Sequence, residues 1–231
     1  MLLFGAVAVA NTLAKEAEAG TLRIVLSKQI RRWEVVLGTF VGLVGYLLVV
    51  AMANTFLGAA ALYWFSDLPA AALAGGVFEA LPAVALQAVV IAVLVAGVGI
   101  TLGIVTKSRL QTAIGVLAIA ALYFVMMVVR LFSPERYEDY HFYLPDFSYH
   151  FGNALVFGYE AVVGDLPAEA QLSLNLFSGV YEIQAGEDVE TMPESFELAG
   201  YVDPAVSFGL LVGIAVVLLV VASVQFQRLD I

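Results

Sequence analysis

The stretch VVLGTFVGLVGYLLVVAMANTFLGAAALYWF, from Val35 to Phe65, contains no charged residue. Its roughly 30 residues, with a helical rise of about 1.5 Å each, are more than the hydrocarbon core of a bilayer requires. Trp33 lies at one end, and Tyr63 and Trp64 lie at the other, as aromatic residues do at membrane surfaces. The stretch therefore predicts a membrane-spanning helix that tilts or projects into water.

Four further segments of the chain are similarly apolar. With Val35–Phe65 as segment B, they are segment A (Met1–Ala14), segment C (Phe78–Val105), segment D (Leu110–Phe132) and segment E (Ala205–Val224). The chain is 62% hydrophobic and 13% charged, whereas soluble domains average about 25% charged residues. This composition excludes an ordinary soluble enzyme. We predict an all-α, polytopic transmembrane protein with five visible spans, of which segment A is shorter than the roughly 20 residues a span needs.

Acidic residues concentrate in one region of the chain. Residues 134–204 contain 14 acidic residues and one basic residue, whereas the rest contains 6 acidic and 9 basic residues. We therefore predict helices A to D in 1–133, an acidic insert in 134–204, and the last helix with the C-terminus in 205–231. The net charge of −10 argues against a nucleic-acid partner. The absence of cysteine excludes disulfides and thiolate metal sites.

Basic residues alternate between the connections. The A–B link, the C–D link and the C-terminus carry them, whereas the B–C link has none and the insert has one. The positive-inside rule predicts that the C-terminus is cytoplasmic and the insert extracytoplasmic in the cell membrane. Because this places Met1 outside, we expect that a first helix is missing, by truncation or a late start codon. The alternative is a genuinely short segment A in a thinned bilayer.

The A–B link has an amphipathic pattern. Thr21 can cap a helix that begins at Leu22. From there to Trp33, apolar residues at helical spacing share one face and basic residues the other. We predict a basic helix near residues 21–33 on the inner membrane surface. The periodicity fits either plain interfacial anchoring or docking of a cytoplasmic partner.

Three stretches resemble one family of transport proteins. They are Glu16-Ala-Glu18-Ala-Gly20-Thr21-Leu22, then Val25-Leu26-Ser27 followed by Arg31-Arg32-Trp33-Glu34-Val35-Val36-Leu37-Gly38, and the C-terminal Phe226-Gln227-Arg228-Leu229-Asp230-Ile231. These are similar to the type-2 (ABC-2) permeases of ATP-binding cassette transporters. The resemblance implies six membrane helices, a cytoplasmic coupling helix between the second and third, and a large external region between the fifth and sixth. Segments A to E then correspond to helices two to six. Gln29 departs from the family's usual proline, so the coupling helix is free to continue into segment B, and Thr39 stands where lysine is common.

The resemblance also implies a function and partners. Two permease halves, identical or different, form the pathway, and ATP-driven closure of two cytoplasmic ATPase subunits rocks the halves. Export is the commoner direction in the family, so we expect an exporter permease that binds no cofactor itself, its partner holding ATP and Mg²⁺. The residues expected to dock the ATPase are Glu18, Gly20, Thr21, Leu22, Arg31 and Arg32.

The chain carries no recognisable ATPase motif. The nearest match to a Walker A sequence ends in Thr106-Lys107-Ser108, with threonine where the second glycine is required. A membrane enzyme would need a catalytic pair at membrane depth, and both histidines lie in the insert. We therefore expect a permease subunit and not an enzyme. The alternative is a non-transporting scaffold or sensor with an acidic ectodomain.

Few polar residues interrupt the predicted spans. We predict that Arg130, near the outer end of segment D, extends its side chain to the membrane surface. Asn54 and Gln87 either line a pathway or form interhelical hydrogen bonds. Three Gly-x-x-x-Gly pairs predict close helix packing, one of them at a dimer seam: Gly38/Gly42, Gly99/Gly103 and Gly209/Gly213.

The insert carries its own signals. We predict a re-entrant or surface-lying helix over Phe147–Val163 and an acidic loop over Gln184–Glu197. His141, Asp146 and His150 are conceivable metal ligands, but their spacing fits no standard pattern, so we expect a solvated acidic surface and no metal site. Such acidity is halophile-like, because at molar salt the Debye length falls to about 3 Å and carboxylates repel one another less.

Overall fold

The computed structural model describes residues 2–21, 31–65, 69–183 and 196–228. Two predicted features fall largely outside these ranges. Residues 22–30 of the predicted coupling helix, including Leu22, are not among the described residues, and neither are residues 184–195 of the predicted acidic loop.

Long helices dominate the described chain. They are α3 (Arg32–Phe65), α4 (Ala70–Thr106) and α5 (Arg109–Phe132), preceded by the short α1 (Leu2–Ala10) and α2 (Leu13–Glu18) and followed, after the insert, by α9 (Pro204–Gln227). In the described part of the chain, four helical stretches are long and apolar enough to span a membrane: Arg32–Phe65, Phe78–Thr106, Arg109–Phe132 and Pro204–Gln227. The predicted all-α, polytopic membrane fold is confirmed.

Segment A forms two short helices instead of one. At the break, Asn11 Nδ2 donates to Val7 O at 2.9 Å and Thr12 Oγ1 donates to Val9 O at 2.6 Å. Such side-chain bonds to nearby carbonyls compete with the regular helical pattern. The second helix then continues past the predicted end of the segment, as far as Glu18.

The chain divides into two compact units. Unit 1 comprises Met1–Val77, Ala88–Ala120 and Leu211–Ile231. Its main core cluster consists of Val9, Leu13, Val36, Leu43, Ala96, Ile100, Ile104, Ala222 and Phe226. These residues come from α1, α2, α3, α4 and α9, so the two short N-terminal helices are integral to the packing of this unit.

Two glycines of α4 allow α1 and α2 to approach it closely. A Cβ atom on Gly99 would collide with the Val9 side chain, and one on Gly103 would lie 3.2 Å from Cβ of Ala14. This Gly-x-x-x-Gly pair is therefore an intrachain packing face. Among the described residues, an added Cβ in the other two pairs would have no neighbour within 4 Å beyond the backbone of its own helix: Gly38/Gly42 and Gly209/Gly213.

Unit 2 comprises Phe78–Gln87 and Ala121–Leu210 and includes the acidic insert. The insert forms α6 (Pro134–Asp139), α7 (Phe147–Val162), α8 (Ala168–Ser178), β1 (Tyr181–Ile183) and β2 (Phe196–Leu198). The strands pair antiparallel, with Glu182 opposite Glu197. Glu197 therefore lies in a strand and not in the predicted acidic loop, because its backbone pairs with β1.

The predicted insert helix is confirmed as α7, whose N-cap is Asp146. Its residues from Ser148 to Ala154 are all buried, and Tyr149 and Val156 belong to the core cluster of unit 2. Much of the aromatic and apolar surface of α7 therefore packs inside unit 2.

Candidate functional site

Glu18 is the last residue of α2, and its carboxylate binds the start of α5. Oε2 of Glu18 accepts hydrogen bonds from the backbone N–H of Arg109 at 3.1 Å and from its Nε–H at 3.0 Å. The two side chains are about half exposed, with relative accessibilities of 47% and 49%. The two hydrogen bonds from Arg109 lower the pKa of Glu18 below its usual value, and the backbone bond has the larger effect.

Arg32 is the first residue of α3, and it binds the end of α9. Its Nη1 donates to Gln227 O at 2.8 Å and to Phe226 O at 3.4 Å. The last carbonyl groups of a helix have no intrahelical donor, and a cation is favoured at that end by the helix dipole. Arg32 therefore caps the C-terminal end of α9, although it lies almost 200 positions earlier in the chain.

The exposed part of the predicted docking region lies between these two contacts. Gly20 is in the left-handed backbone region at φ +69°, with no atom of the described residues within 4 Å of an added Cβ. Thr21 is exposed, and its Oγ1 donates to Glu16 O at 3.3 Å. The left-handed conformation provides the sharp turn after α2 that glycine permits most readily.

The C-terminal boundary of the predicted coupling helix is wrong. Arg31 is not helical, and its backbone N–H donates to Glu34 Oε2 at 3.1 Å. The carboxylate of Glu34 thereby caps the start of α3, to which Arg32 and Trp33 belong. Gln29, in place of the family's proline, had allowed the helix predicted near residues 21–33 to continue into segment B. Because Arg31 is not helical, it does not continue.

The two predicted pathway residues have different surroundings. Asn54 is exposed, and its Nδ2 donates to Val50 O of its own helix at 2.7 Å. Gln87 is partly buried, and its Nε2 donates to Phe151 O of α7 at 3.4 Å. Gln87 thus makes the interhelical contact that was the alternative to a pathway role. The described residues give Asn54 only a bond within its own helix.

The prediction that Arg130 extends to the membrane surface is wrong. Its side chain is only 11% exposed and pairs with the fully buried Asp146, with Nη1 and Oδ2 3.1 Å apart. Nη1 also donates to Ser178 O at 2.8 Å, and the guanidinium lies 5.8 Å from the ring centroid of Tyr137. Hydropathy along segment D cannot reveal this, because the partners of Arg130 come from the insert.

Asp146 organises the polar centre of unit 2. Its Oδ1 accepts from Ser148 N at 2.8 Å and Ser148 Oγ at 2.5 Å, and its Oδ2 accepts from Tyr137 OH at 2.8 Å. Burial of the phenol raises the pKa of Tyr137 far above its usual value, and the neighbouring carboxylate of Asp146 raises it further. The phenol therefore remains a hydrogen-bond donor at physiological pH.

The residues considered as metal ligands have other partners. Nδ1 of His150 lies 3.0 Å from Ser207 Oγ, and its Nε2 lies 2.9 Å from Leu144 O. The carboxylate of Asp146 forms an ion pair with Arg130. Across residues 2–21, 31–65, 69–183 and 196–228, no group of three His, Cys, Asp or Glu side chains is arranged to hold a metal ion.

Comparison with protein families decides the class of this chain. The family model described as "ABC-2 family transporter protein" matches residues 2–231. The chain belongs to the ABC-2 family of transporters. A search of curated proteins and a search of solved structures each found no match. The predicted ABC-2 family is therefore confirmed, and this ABC-2 protein is a multi-pass membrane permease component.

Sequence reasoning found the docking candidates of the ABC-2 chain but missed their partners. The partners are Arg109, interpreted only as a topology signal, and the backbone carbonyls of Phe226 and Gln227. A carbonyl group carries no side-chain signal, so no motif could reveal it. Arg109 had one usable signal, because a basic residue at the start of a helix is unfavourable unless an anion is close.

Proposed function

We propose that this ABC-2 permease is half of an exporter driven by a separate cytoplasmic ATPase. The observation that carries the proposal is the exposed turn at Gly20 and Thr21, which lies in the most basic link of the chain and is flanked by the contacts of Glu18 and Arg32. The positive-inside rule supports a cytoplasmic position for that link. ATP binding and hydrolysis would rock two permease halves between inward-open and outward-open states.

The docking surface includes the six residues Glu18, Gly20, Thr21, Leu22, Arg31 and Arg32. In this proposal Leu22 fills an apolar pocket on the ATPase, and Arg31 pairs with acidic residues there. The ATPase supplies the ATP and Mg²⁺ sites, and the permease supplies the pathway, with Asn54 and Gln87 as candidate wall residues. The second half is another permease chain, identical or different, and the acidic insert faces the exterior.

Co-purification tests the docking surface directly. With the permease co-expressed with a cassette ATPase, Arg31→Glu or Leu22→Asp is expected to lower the recovered ATPase about tenfold, equivalent to about 1.4 kcal/mol of binding free energy. Lys15→Ala is the control, because Lys15 is exposed but lies outside the docking set. Undiminished recovery with both variants would contradict docking at this link. Absence of any ATPase with the unmodified chain would favour the scaffold or sensor.

A further inference from the structure

Unit 2 contains a cavity of about 510 Å³, bounded by the ends of α5 and α8, by α6 and by β1. Among the described residues, the charged side chains of its lining are Arg130, Glu135, Glu138 and Glu182. Cavities of about 300–1,000 Å³ are typical of sites for small organic molecules. We propose that this cavity binds a small organic zwitterion, whose carboxylate pairs with Arg130 and whose quaternary ammonium group lies among the glutamates.

The guanidinium of Arg130 has one edge without hydrogen bonds. Its Nη1 donates to Asp146, Ser148 and Ser178. Its Nε and Nη2 are buried and have no hydrogen-bond partner among the described residues. Buried donors without an acceptor cost free energy. Because Nε and Nη2 form one side of the guanidinium fork, the group that matches them is a carboxylate, which accepts two parallel hydrogen bonds.

This unpaired edge of the guanidinium adjoins the cavity lining. A Cβ atom added to Gly179 would collide with Cδ and Nε of Arg130, and Gly179 itself lines the cavity. Both unpaired nitrogens are covered by protein in the described conformation. A carboxylate therefore reaches them when side chains of the lining shift, and it then makes two charge-assisted hydrogen bonds with little competition from water.

The remaining charge of the lining is negative. Glu135 and Glu138 belong to α6, Glu182 belongs to β1, and all three are exposed. The positive charge of Arg130 is already balanced by the buried carboxylate of Asp146, with Nη1 and Oδ2 3.1 Å apart. A simple anion would therefore meet three carboxylates, whereas a simple cation would leave Nε and Nη2 of Arg130 unpaired. A zwitterion meets both requirements.

The tyrosine residues of the lining favour an organic cation over a metal ion. Tyr137, Tyr181 and Tyr201 all line the cavity. The hydroxyl group of Tyr201 donates to Oε1 of Glu182 at 2.8 Å, which holds an aromatic ring beside a carboxylate. Aromatic rings attract ammonium groups and are typical of sites for quaternary ammonium ligands. Among the described residues, no group of three His, Cys, Asp or Glu side chains is arranged to hold a metal ion.

Equilibrium dialysis of the whole chain in detergent tests the site without any variant. The probe is radiolabelled γ-butyrobetaine, which carries a carboxylate and a trimethylammonium group. Butyltrimethylammonium has a similar shape without the negative charge, and γ-tert-butylbutyrate has a similar shape without the positive charge. We expect γ-butyrobetaine to bind about tenfold more tightly than either, since each compound with a single charge lacks one set of charged contacts.

Two results of the dialysis would overturn the proposal. One is the absence of saturable binding of γ-butyrobetaine, and the other is equally tight or tighter binding of a compound with a single charge. Binding requires no ATPase, so either result would leave the proposed function unaffected.

Arg130→Lys tests the carboxylate end of the site. Lysine keeps a positive charge beside Asp146 but lacks the guanidinium fork. We expect the affinity for γ-butyrobetaine to fall about tenfold, to that of butyltrimethylammonium. The affinity for butyltrimethylammonium should stay unchanged, which shows that the cavity remains folded. A variant that still prefers γ-butyrobetaine about tenfold would overturn the pairing with Arg130.

The double variant Glu135→Gln with Glu138→Gln tests the ammonium end. We expect it to weaken the binding of γ-butyrobetaine and of butyltrimethylammonium about tenfold, because it removes two carboxylates from the lining. The matched control is Glu79→Gln with Asp139→Asn, which removes two exposed carboxylates of unit 2 that do not line the cavity. Equal affinities in the two double variants would overturn the placement of the ammonium group.

Discussion

At the scale of single residues, the buried pair of Arg130 and Asp146 is the most consequential feature. Asp146 is fully buried and accepts from the guanidinium, from Tyr137 and from Ser148. A buried ion pair is not itself strong evidence of stability, since both charges lose their hydration. Removing one partner is costly, however, because the other charge remains buried without compensation.

Asp146→Asn should therefore destabilise the protein strongly. The expected loss is about 3–5 kcal/mol of unfolding free energy, the usual cost of breaking a buried pair. Thermal unfolding in detergent measures it, with Asp139→Asn, at an exposed position, as the control. Equal melting temperatures for the two variants would show that Asp146 is not needed to compensate the buried charge of Arg130.

At the scale of helices, apolar length along the chain predicted most of the boundaries. Segment D was predicted from Leu110 to Phe132, and α5 extends from Arg109 to Phe132. The method succeeds because a bilayer demands an uninterrupted apolar helix of fixed minimum length. It missed the break in segment A, because that break depends on where the side chains of Asn11 and Thr12 form hydrogen bonds.

The candidate site was only partly predictable for a similar reason. The motif indicated Glu18 and Arg32, but their partners lie 91 and almost 200 positions away in the chain. Contacts at that separation are set by helix packing and not by local pattern. The hydropathy of segment D did not predict that Arg130 is buried, because the residues that bury it belong to the insert.

Helix packing in unit 1 gives a prediction about glycine. Gly99→Ala should lower the melting temperature, because its new Cβ would collide with Val9 of α1. Gly45→Ala, with open space around it within the described residues, should be neutral or slightly stabilising, because alanine favours helix more than glycine does. A Gly99→Ala variant as stable as Gly45→Ala would show that α1 does not pack on α4 as described.

At the scale of the whole molecule, charge is distributed very unevenly. The insert has 14 acidic residues and one basic residue, and β1 places Glu182 opposite Glu197. The pKa of Tyr181 is raised to about 12, mainly by burial and to a smaller extent by the carboxylates of Glu160 and Asp165. Because acidic residues of the insert outnumber its one basic residue 14 to 1, we expect repulsion between carboxylates to oppose its folding.

Salt should relieve that repulsion. We expect the melting temperature of the purified protein to rise by several degrees between 0.1 and 2 M KCl, because the Debye length shortens from about 10 Å to about 3 Å or less. Sucrose at matched osmolality is the control for effects unrelated to charge. A melting temperature independent of KCl would contradict the halophile-like interpretation of the insert.

We expect the link with the proposed docking surface to face the cytoplasm and the insert to face the exterior. Because the chain contains no cysteine, Lys15→Cys and Asp139→Cys each introduce a single reactive thiol at an exposed position. With a membrane-impermeant maleimide, Asp139→Cys should label on intact cells, and Lys15→Cys should label only after the membrane is permeabilised. Labelling of Lys15→Cys on intact cells would contradict the account.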